Sequence, residues 1–169
     1  SLYPTVTLRE NIAFALKAAK LLDMEVASRV KHVSDMLEIT DILDRYPMSV
    51  SGGQQQRASL ARALIRDADL HLLDEPMGQL EPQLRTLLRG RIKHYIKERE
   101  LTAILVTHDQ TEANALADRI AVMEDGILKV GLLSFLLFFT GQVMAFNGIQ
   151  IVGVSESKKS VIVDRGSLE

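Results

Sequence analysis

Two short apolar runs, separated by a long amphipathic stretch, constrain the fold of this chain most. The first, residues 70–73, ends in two carboxylates, and the second, residues 102–106, ends in a threonine and a histidine. Between them Pro82 opens a helical pattern, at a position where its missing N–H removes no hydrogen bond. Short runs without polar alternation are typical of strands buried on both faces in parallel sheets. The pattern therefore predicts an α/β sheet with polar side chains at the carboxyl edge of its strands.

Helical segments precede the first strand. Thr7 and Glu10 have the spacing of a capping box, as do Ser51 and Gln54. Apolar residues at helical spacing follow each of these caps and also extend over residues 25–38. This part of the chain is therefore expected to be a helical insertion ahead of the sheet.

The C-terminal part predicts short strands and contains an unusual apolar run. Asp125 and Gly126 mark a hairpin, and residues 149–154 with 161–164 are expected to pair as antiparallel strands. No charged side chain occurs between residues 130 and 155, and residues 132–139 are strongly apolar. A membrane span needs about 20 predominantly apolar residues, so a buried or partner-covered segment is favoured over a transmembrane helix.

Composition excludes several classes of function. The net charge is −2 and there is no cluster of lysine and arginine, which argues against nucleic acid as the main partner. Cysteine is absent, so neither a disulfide scaffold nor a cysteine metal site can form.

The segment Ser51-Gly52-Gly53-Gln54 predicts an anion site at the start of a helix. The first N–H groups of a helix point outward, and the helix dipole places roughly half a positive charge there. Two glycines let backbone approach a phosphate closely. The alternative is an ordinary glycine-containing N-cap.

Polar residues at the ends of the two predicted strands are the candidates for chemistry. Asp74 and Glu75 follow the first strand and His108 the second. A solvated acidic strand end and a structural histidine are the alternatives. His71 interrupts the apolar run and is expected to be a packing or partner-contact residue.

Three motifs in order resemble those of ATP-binding-cassette (ABC) ATPases. Residues 50–57 resemble the family signature, residues 70–75 its Walker B strand, and residues 106–109 its switch-histidine segment. The likeness covers roughly residues 2–131 and is closest to the sugar and polyol importer type.

The resemblance implies a fold and a domain organisation. It implies a partial P-loop NTPase (RecA-like) α/β parallel sheet with an ABC helical subdomain and a short C-terminal antiparallel β segment. Residues 1–66 would form the helical subdomain and residues 67–131 the C-terminal part of the ATPase core. Residues 132–169 would be an apolar linker and β-strand tail.

The resemblance also implies roles for the candidate residues. ATP and Mg²⁺ would be the cofactors, with Asp74 holding the metal. Glu75 would be the general base and His108 would contact the γ-phosphate. Ser51, Gly52, Gly53 and Gln54 would contact nucleotide held by a partner cassette.

For the whole protein, the resemblance implies a transport ATPase. Its partners would be transmembrane permease subunits, received near residues 3–16, and a second cassette, with a homodimer expected. Its location would be cytoplasmic, peripheral on the inner face of the cell membrane. A non-transport ABC ATPase and a non-catalytic cassette piece that pairs with a complete subunit are the alternatives.

Two features depart from the family pattern. The chain contains no Gly-x-x-x-x-Gly-Lys-Ser/Thr, the P-loop or Walker A motif that cradles nucleotide phosphates. The 169 residues are therefore expected to be a truncated and inactive form of the ATPase. In the D-loop, residues 77–81, Glu81 stands where the family has aspartate, or serves simply as an acid at the start of a helix.

Overall fold

The computed structural model describes residues 1–124, 127–129 and 149–153. The chain divides into two compact units. The first contains residues 1–68 and 76–92, and the second contains residues 69–75 and the described residues from 93 onward. The domain boundaries expected after residues 66 and 131 stay a prediction.

Helices form the first unit, and their starts agree with the sequence. Thr7 Oγ1 accepts a hydrogen bond from the Glu10 N–H at 3.2 Å, and Glu10 Oε2 accepts one from the Thr7 N–H at 2.8 Å, which confirms the first capping box. The helices are α1 (Leu8–Ala18), α2 (Asp23–Met36), α3 (Gly52–Leu64) and the first part of α4 (Pro82–Glu98), with 3₁₀ turns at Thr40–Ile42 and Pro47–Ser49.

One arginine links α3 to the end of α2. Arg57 Nη1 donates to the backbone oxygens of Leu37 and Glu38 at 2.9 and 2.5 Å. These carbonyls at the end of α2 lack helical partners, and a charged donor satisfies them. The apolar core of this unit includes Leu8, Ile12, Leu16, Val33, Leu37, Leu64 and Ile65.

A five-stranded sheet forms the second unit. The strands are β1 (His71–Asp74), β2 (Ala103–Thr107), β3 (Arg119–Glu124), β4 (Ile127–Lys129) and β5 (Ile149–Gly153). Their order is β1-β2-β5-β3-β4, and among the described residues only β3 and β4 pair antiparallel, which confirms the predicted hairpin strands. The end of α4 and α5 (Gln110–Leu116) belong to this unit.

The pairing predicted for residues 149–154 was wrong. Strand β5 lies between β2 and β3 and is parallel to both, with Ile151 opposite Leu105 and Ile120. The sequence Ile-Gln-Ile-Val-Gly carries few polar residues, which suits a central strand of a parallel sheet better than a half-solvated hairpin. Its predicted partner, residues 161–164, lies outside the described residues.

The expectation that the first strand is buried on both faces was also wrong. His71 and Leu73 are buried, whereas Leu72 on the other face is 71% exposed. Strand β1 is the edge of the described sheet, while its neighbour β2 is buried on both faces at residues 103–105. One face of β1 is therefore open in this unit.

The apolar run at residues 132–139 lies outside the described residues, as does the turn at 125–126. Among the helices that the structure describes, none combines the length and apolar character needed to cross a membrane.

Candidate functional site

Strand register brings two of the predicted site residues together. Asp74 pairs with Val106 in the parallel ladder, and the Glu75 N–H donates to the Val106 oxygen at 2.9 Å. Glu75 and His108 therefore emerge at the same carboxyl edge of the sheet. His108 Nδ1 lies 2.7 Å from Glu75 Oε1, and the side chains are 47% and 44% exposed.

The backbone at Glu75 is unusual. Its φ is 43°, in the left-handed region that residues with a side chain seldom adopt. Such conformations cost roughly 1–3 kcal/mol and cluster at functional sites. This conformation occurs at the residue that contacts His108.

The hydrogen bond to Glu75 determines what His108 can offer a ligand. Glu75 raises the pKa of His108 above its ordinary value, first through this bond and then through its charge; burial opposes the shift, and Asp109 and Glu112 add smaller contributions. With Nδ1–H donating to the carboxylate, a neutral ring has a bare acceptor at Nε2. Only the protonated ring also presents an Nε2–H donor. The pair therefore favours the form of His108 that can donate to a phosphate oxygen.

A buried carboxylate supports the backbone on either side of His108. Glu112 is 2% exposed, and its Oε2 accepts a hydrogen bond from Thr107 Oγ1 at 3.0 Å. Thr107 Oγ1 in turn accepts the Asp109 N–H at 3.1 Å, while Asp109 Oδ1 caps α5 through the Thr111 and Glu112 N–H groups. Sequence reasoning missed the role of Glu112.

Asp74, the predicted metal ligand, is an exposed carboxylate at the last position of β1. Within the described part of the chain, no group of three or more histidine, cysteine, aspartate or glutamate side chains could hold a metal. Mg²⁺ in nucleotide sites needs only one or two carboxylates, because phosphates and water complete its coordination. Asp74 therefore fits Mg²⁺ brought by a nucleotide. His71 is buried, as its predicted packing role requires.

The predicted anion segment forms the start of α3 as expected. Ser51 Oγ accepts the Gln54 N–H at 3.3 Å, and Gln54 Oε1 accepts the Ser51 N–H at 2.9 Å. Ser51 and Gly52 are exposed, and Gly53 and Gln54 are partly buried. The start of α3 is therefore open to solvent at Ser51 and Gly52.

The two glycines of this segment also serve a contact that the sequence did not reveal. A Cβ on Gly52 would lie 3.1 Å from Gln79 Oε1, and one on Gly53 would lie 3.2 Å from the Gln79 backbone oxygen. Their predicted use was close approach to phosphate alone. In the structure they also let the D-loop pack closely against the start of α3.

Glu81, the D-loop residue that departs from the family pattern, is exposed and precedes α4. Its backbone oxygen accepts the Arg85 N–H at 2.9 Å. This bond places Glu81 at the N-cap position of α4, where an acid is favourable to the helix dipole.

An aromatic cleft near the N-terminus is a further feature of the first unit. Tyr3 and Phe14 are exposed and pack edge to face with ring centroids 5.4 Å apart. Arg62 lies over the Tyr3 ring at 4.3 Å. With Arg66 and Asp67 they line a cleft of about 620 Å³ whose remaining walls include several alanines. The sequence analysis had singled out the Tyr3 to Leu16 segment as a partner contact. Residue spacing alone did not show that Arg62 packs against this segment.

Titration of His108 tests the electrostatics of this pair. We expect a midpoint above about 6.5, the ordinary value for histidine, followed through the imidazole proton shifts in NMR spectra. Glu75→Gln should lower the midpoint, because it removes the charge that stabilises the imidazolium. The protonated pair stabilises the fold below the unfolded-state pKa, and this contribution is lost as pH rises through the folded-state pKa.

Glu98→Gln is the matched control for that titration. Glu98 lies 3.8 Å from His94, so the same change of charge occurs at another histidine of the second unit. The His108 midpoint should not respond to it. A midpoint that stays unchanged in Glu75→Gln would show that the two side chains do not pair in solution.

Comparison with known proteins agrees with the geometry. Residues 1–78 match the family described as ABC transporter. The chain is 43% identical over 129 residues to the trehalose/maltose import ATP-binding protein MalK of Thermococcus litoralis, which covers 76% of this chain and 35% of that protein. The sn-glycerol-3-phosphate import ATP-binding protein UgpC of Cereibacter sphaeroides is 46% identical, with 76% and 37% covered.

A solved structure gives the same result for the fold. A dimeric bacterial ABC transporter cassette matches with a TM-score of 0.62 and 29% identity, over 68% of this chain and 51% of that one. This chain belongs to the ABC transporter family of ATP-binding proteins. It spans about a third of the length of the curated relatives it matches.

Proposed function

We propose that this chain is part of an ATP-hydrolysing subunit that powers an ABC importer. The observation that carries the proposal is the Glu75–His108 pair, 2.7 Å apart at the carboxyl edge of a parallel sheet. An acidic side chain beside an imidazole at this edge is suited to reactions of phosphates with water, since one group can accept a proton and the other can donate to phosphate.

Each residue at the sheet edge has a distinct proposed role. Asp74 offers a carboxylate oxygen to the Mg²⁺ that accompanies ATP. That ion would offset the negative charge of the phosphates. Glu75 accepts a proton from the attacking water as general base. His108, whose protonated form is favoured by its bond to Glu75, donates from Nε2 to a γ-phosphate oxygen in that form.

The start of α3 is proposed to bind nucleotide held by a second cassette. Among Ser51, Gly52, Gly53 and Gln54, the capping box uses the N–H groups of the first and last residues. The N–H groups of the two glycines are outside the capping box and the glycines add little steric bulk, a combination suited to phosphate. A matching solved relative is a dimeric cassette. We infer that this chain works in a pair, with a homodimer as the simplest arrangement.

The aromatic cleft is the proposed contact with a transmembrane permease subunit. Tyr3 and Phe14 offer exposed apolar surface, the alanine walls allow close approach, and Arg62 and Arg66 add positive charge. A short helix from a partner fits a cleft of this kind. The subunit would then be peripheral on the inner face of the cell membrane. Relatives named as sugar and glycerol-phosphate importers suggest a carbohydrate or polyol as cargo.

A second candidate function is a non-catalytic partner of a complete cassette. The observation that favours it is the exposed start of α3, where Ser51 and Gly52 are open to nucleotide held by another subunit. On this alternative, the chain contributes residues 51–54 to nucleotide bound by the other subunit and does not turn over ATP itself.

Calorimetry with MgATP tests what the 169-residue chain can do alone. We expect no measurable heat of binding at 1 mM MgATP, because a P-loop supplies most phosphate contacts. That result corresponds to a binding free energy weaker than about −4 kcal/mol. The control is a chimera in which the 129 residues of this chain that match the Thermococcus litoralis protein replace the corresponding stretch of that protein. Micromolar binding by the 169 residues themselves would contradict the prediction.

A further inference from the structure

The D-loop segment at residues 78–80 is attached to the start of the signature helix by several independent contacts. Gln56 Oε1 accepts the Gln79 N–H at 2.8 Å. Gln56 is in the second turn of α3, so its side chain reaches across to a loop 23 residues further along the chain. This bond satisfies a backbone donor in a segment that has no helix or strand partner.

Close packing by the signature glycines forms the second contact. Hypothetical Cβ atoms on Gly52 and Gly53 would lie 3.1 and 3.2 Å from the side chain and backbone oxygens of Gln79. On Gly53 the obstacle is backbone, which cannot move aside as the end of a side chain can. The loop therefore lies directly on the first turn of α3.

Arg85 holds the same loop from the side of α4. Its Nη2 donates to the Leu80 oxygen at 3.0 Å and lies 3.4 Å from the Gly78 oxygen. The Arg85 guanidinium thus binds the carbonyls on either side of Gln79, and Gln56 binds the Gln79 N–H. The backbone of residues 78–80 is fixed from two helices.

We propose that Gln56 is a positioning residue that joins the D-loop to the signature helix. Each joined segment has exposed residues, namely Ser51, Gly52, Gly78 and Gln79. The two segments therefore present one continuous surface that is already formed in the unbound chain. The proposal rests on the proposed function, in which that surface meets the second cassette. A preformed surface loses less conformational entropy on binding than two independent loops.

Amide hydrogen exchange of the full 169-residue chain, followed by NMR, tests the link without nucleotide. Gln56→Met keeps the length of the side chain and removes the acceptor, so the Gln79 N–H should exchange at least tenfold faster. Gln56→Glu keeps an acceptor oxygen and should restore slow exchange. The Gln55 N–H, which donates to the Ser51 oxygen at 2.9 Å in the same helix turn, should be unaffected in both variants.

A second pair of variants covers the possibility that the Gln56 variants fold poorly. Gly53→Ala should also speed exchange at Gln79, because its Cβ presses on the loop backbone. Gly90→Ala is the control, since nothing lies within 4 Å of a Cβ there, and it should leave exchange at Gln79 unchanged.

Unchanged Gln79 exchange in Gln56→Met would overturn the proposal, as would equal acceleration at Gln55, which would indicate fraying of the helix. Because no nucleotide is present, either result leaves the proposed ATPase role to be judged separately.

Discussion

Glu75→Gln should reduce ATP turnover of the chimeric cassette by about 10²–10⁴-fold, the range for loss of a general base. The amide has nearly the same shape as the carboxylate but cannot take a proton from water. It can still accept the hydrogen bond from His108 Nδ1, so the sheet edge should keep its geometry. Phosphate release measured at saturating MgATP gives the effect on the chemical step.

Glu98→Gln is the control for that variant, because it removes one negative charge from the exposed end of α4 without touching the sheet edge. It should turn over ATP at the unmodified rate. ATP-dependent dimerisation should persist in Glu75→Gln, since binding of the nucleotide does not require the base. Turnover within a factor of three of the unmodified chimera would remove Glu75 from the proposed role.

Gly52→Asp should strongly weaken ATP-dependent dimerisation and leave the fold intact. An acid in the first turn stabilises a helix by roughly 0.3–1 kcal/mol, and its Cβ meets only the movable end of the Gln79 side chain. The same carboxylate repels a phosphate at the start of α3. Two unit charges 4 Å apart near a surface repel by about 4 kcal/mol, so we expect the dimer to weaken by about 100-fold or more.

Gly52→Asn separates charge from bulk in that experiment. It has the same size as aspartate and should weaken the dimer far less. Light scattering during gel filtration in the Glu75→Gln background, where ATP is consumed far more slowly, measures both variants. If Asn and Asp weaken the dimer equally, side-chain size and not charge is responsible. The start of α3 would then not face an anion at the interface.

Local signals account for what the sequence predicted. A capping box is defined within four residues, so Thr7 and Ser51 could be assigned from spacing. Glu75 and His108 could be brought together because parallel strands end at a common edge. The 2.7 Å contact between them, and its effect on the His108 pKa, needed the register of β1 and β2.

Contacts between distant segments account for what the sequence did not predict. Nothing in the spacing of Gly52 and Gly53 shows that Gln79 packs on them, or that Arg57 caps α2. Periodicity indicated that residues 149–154 form a strand but carried no information on its neighbours, so its position between β2 and β3 was missed. The exposed face at Leu72 was missed because a short apolar run has the same sequence pattern whether one face of the strand is covered or both.

ATP turnover by the unmodified chimera tests the central claim most directly. If this chain carries the signature and hydrolytic groups of an importer ATPase, the chimera should release phosphate within tenfold of the rate of the Thermococcus litoralis parent. Normal MgATP binding with turnover reduced to the level of Glu75→Gln would contradict the account.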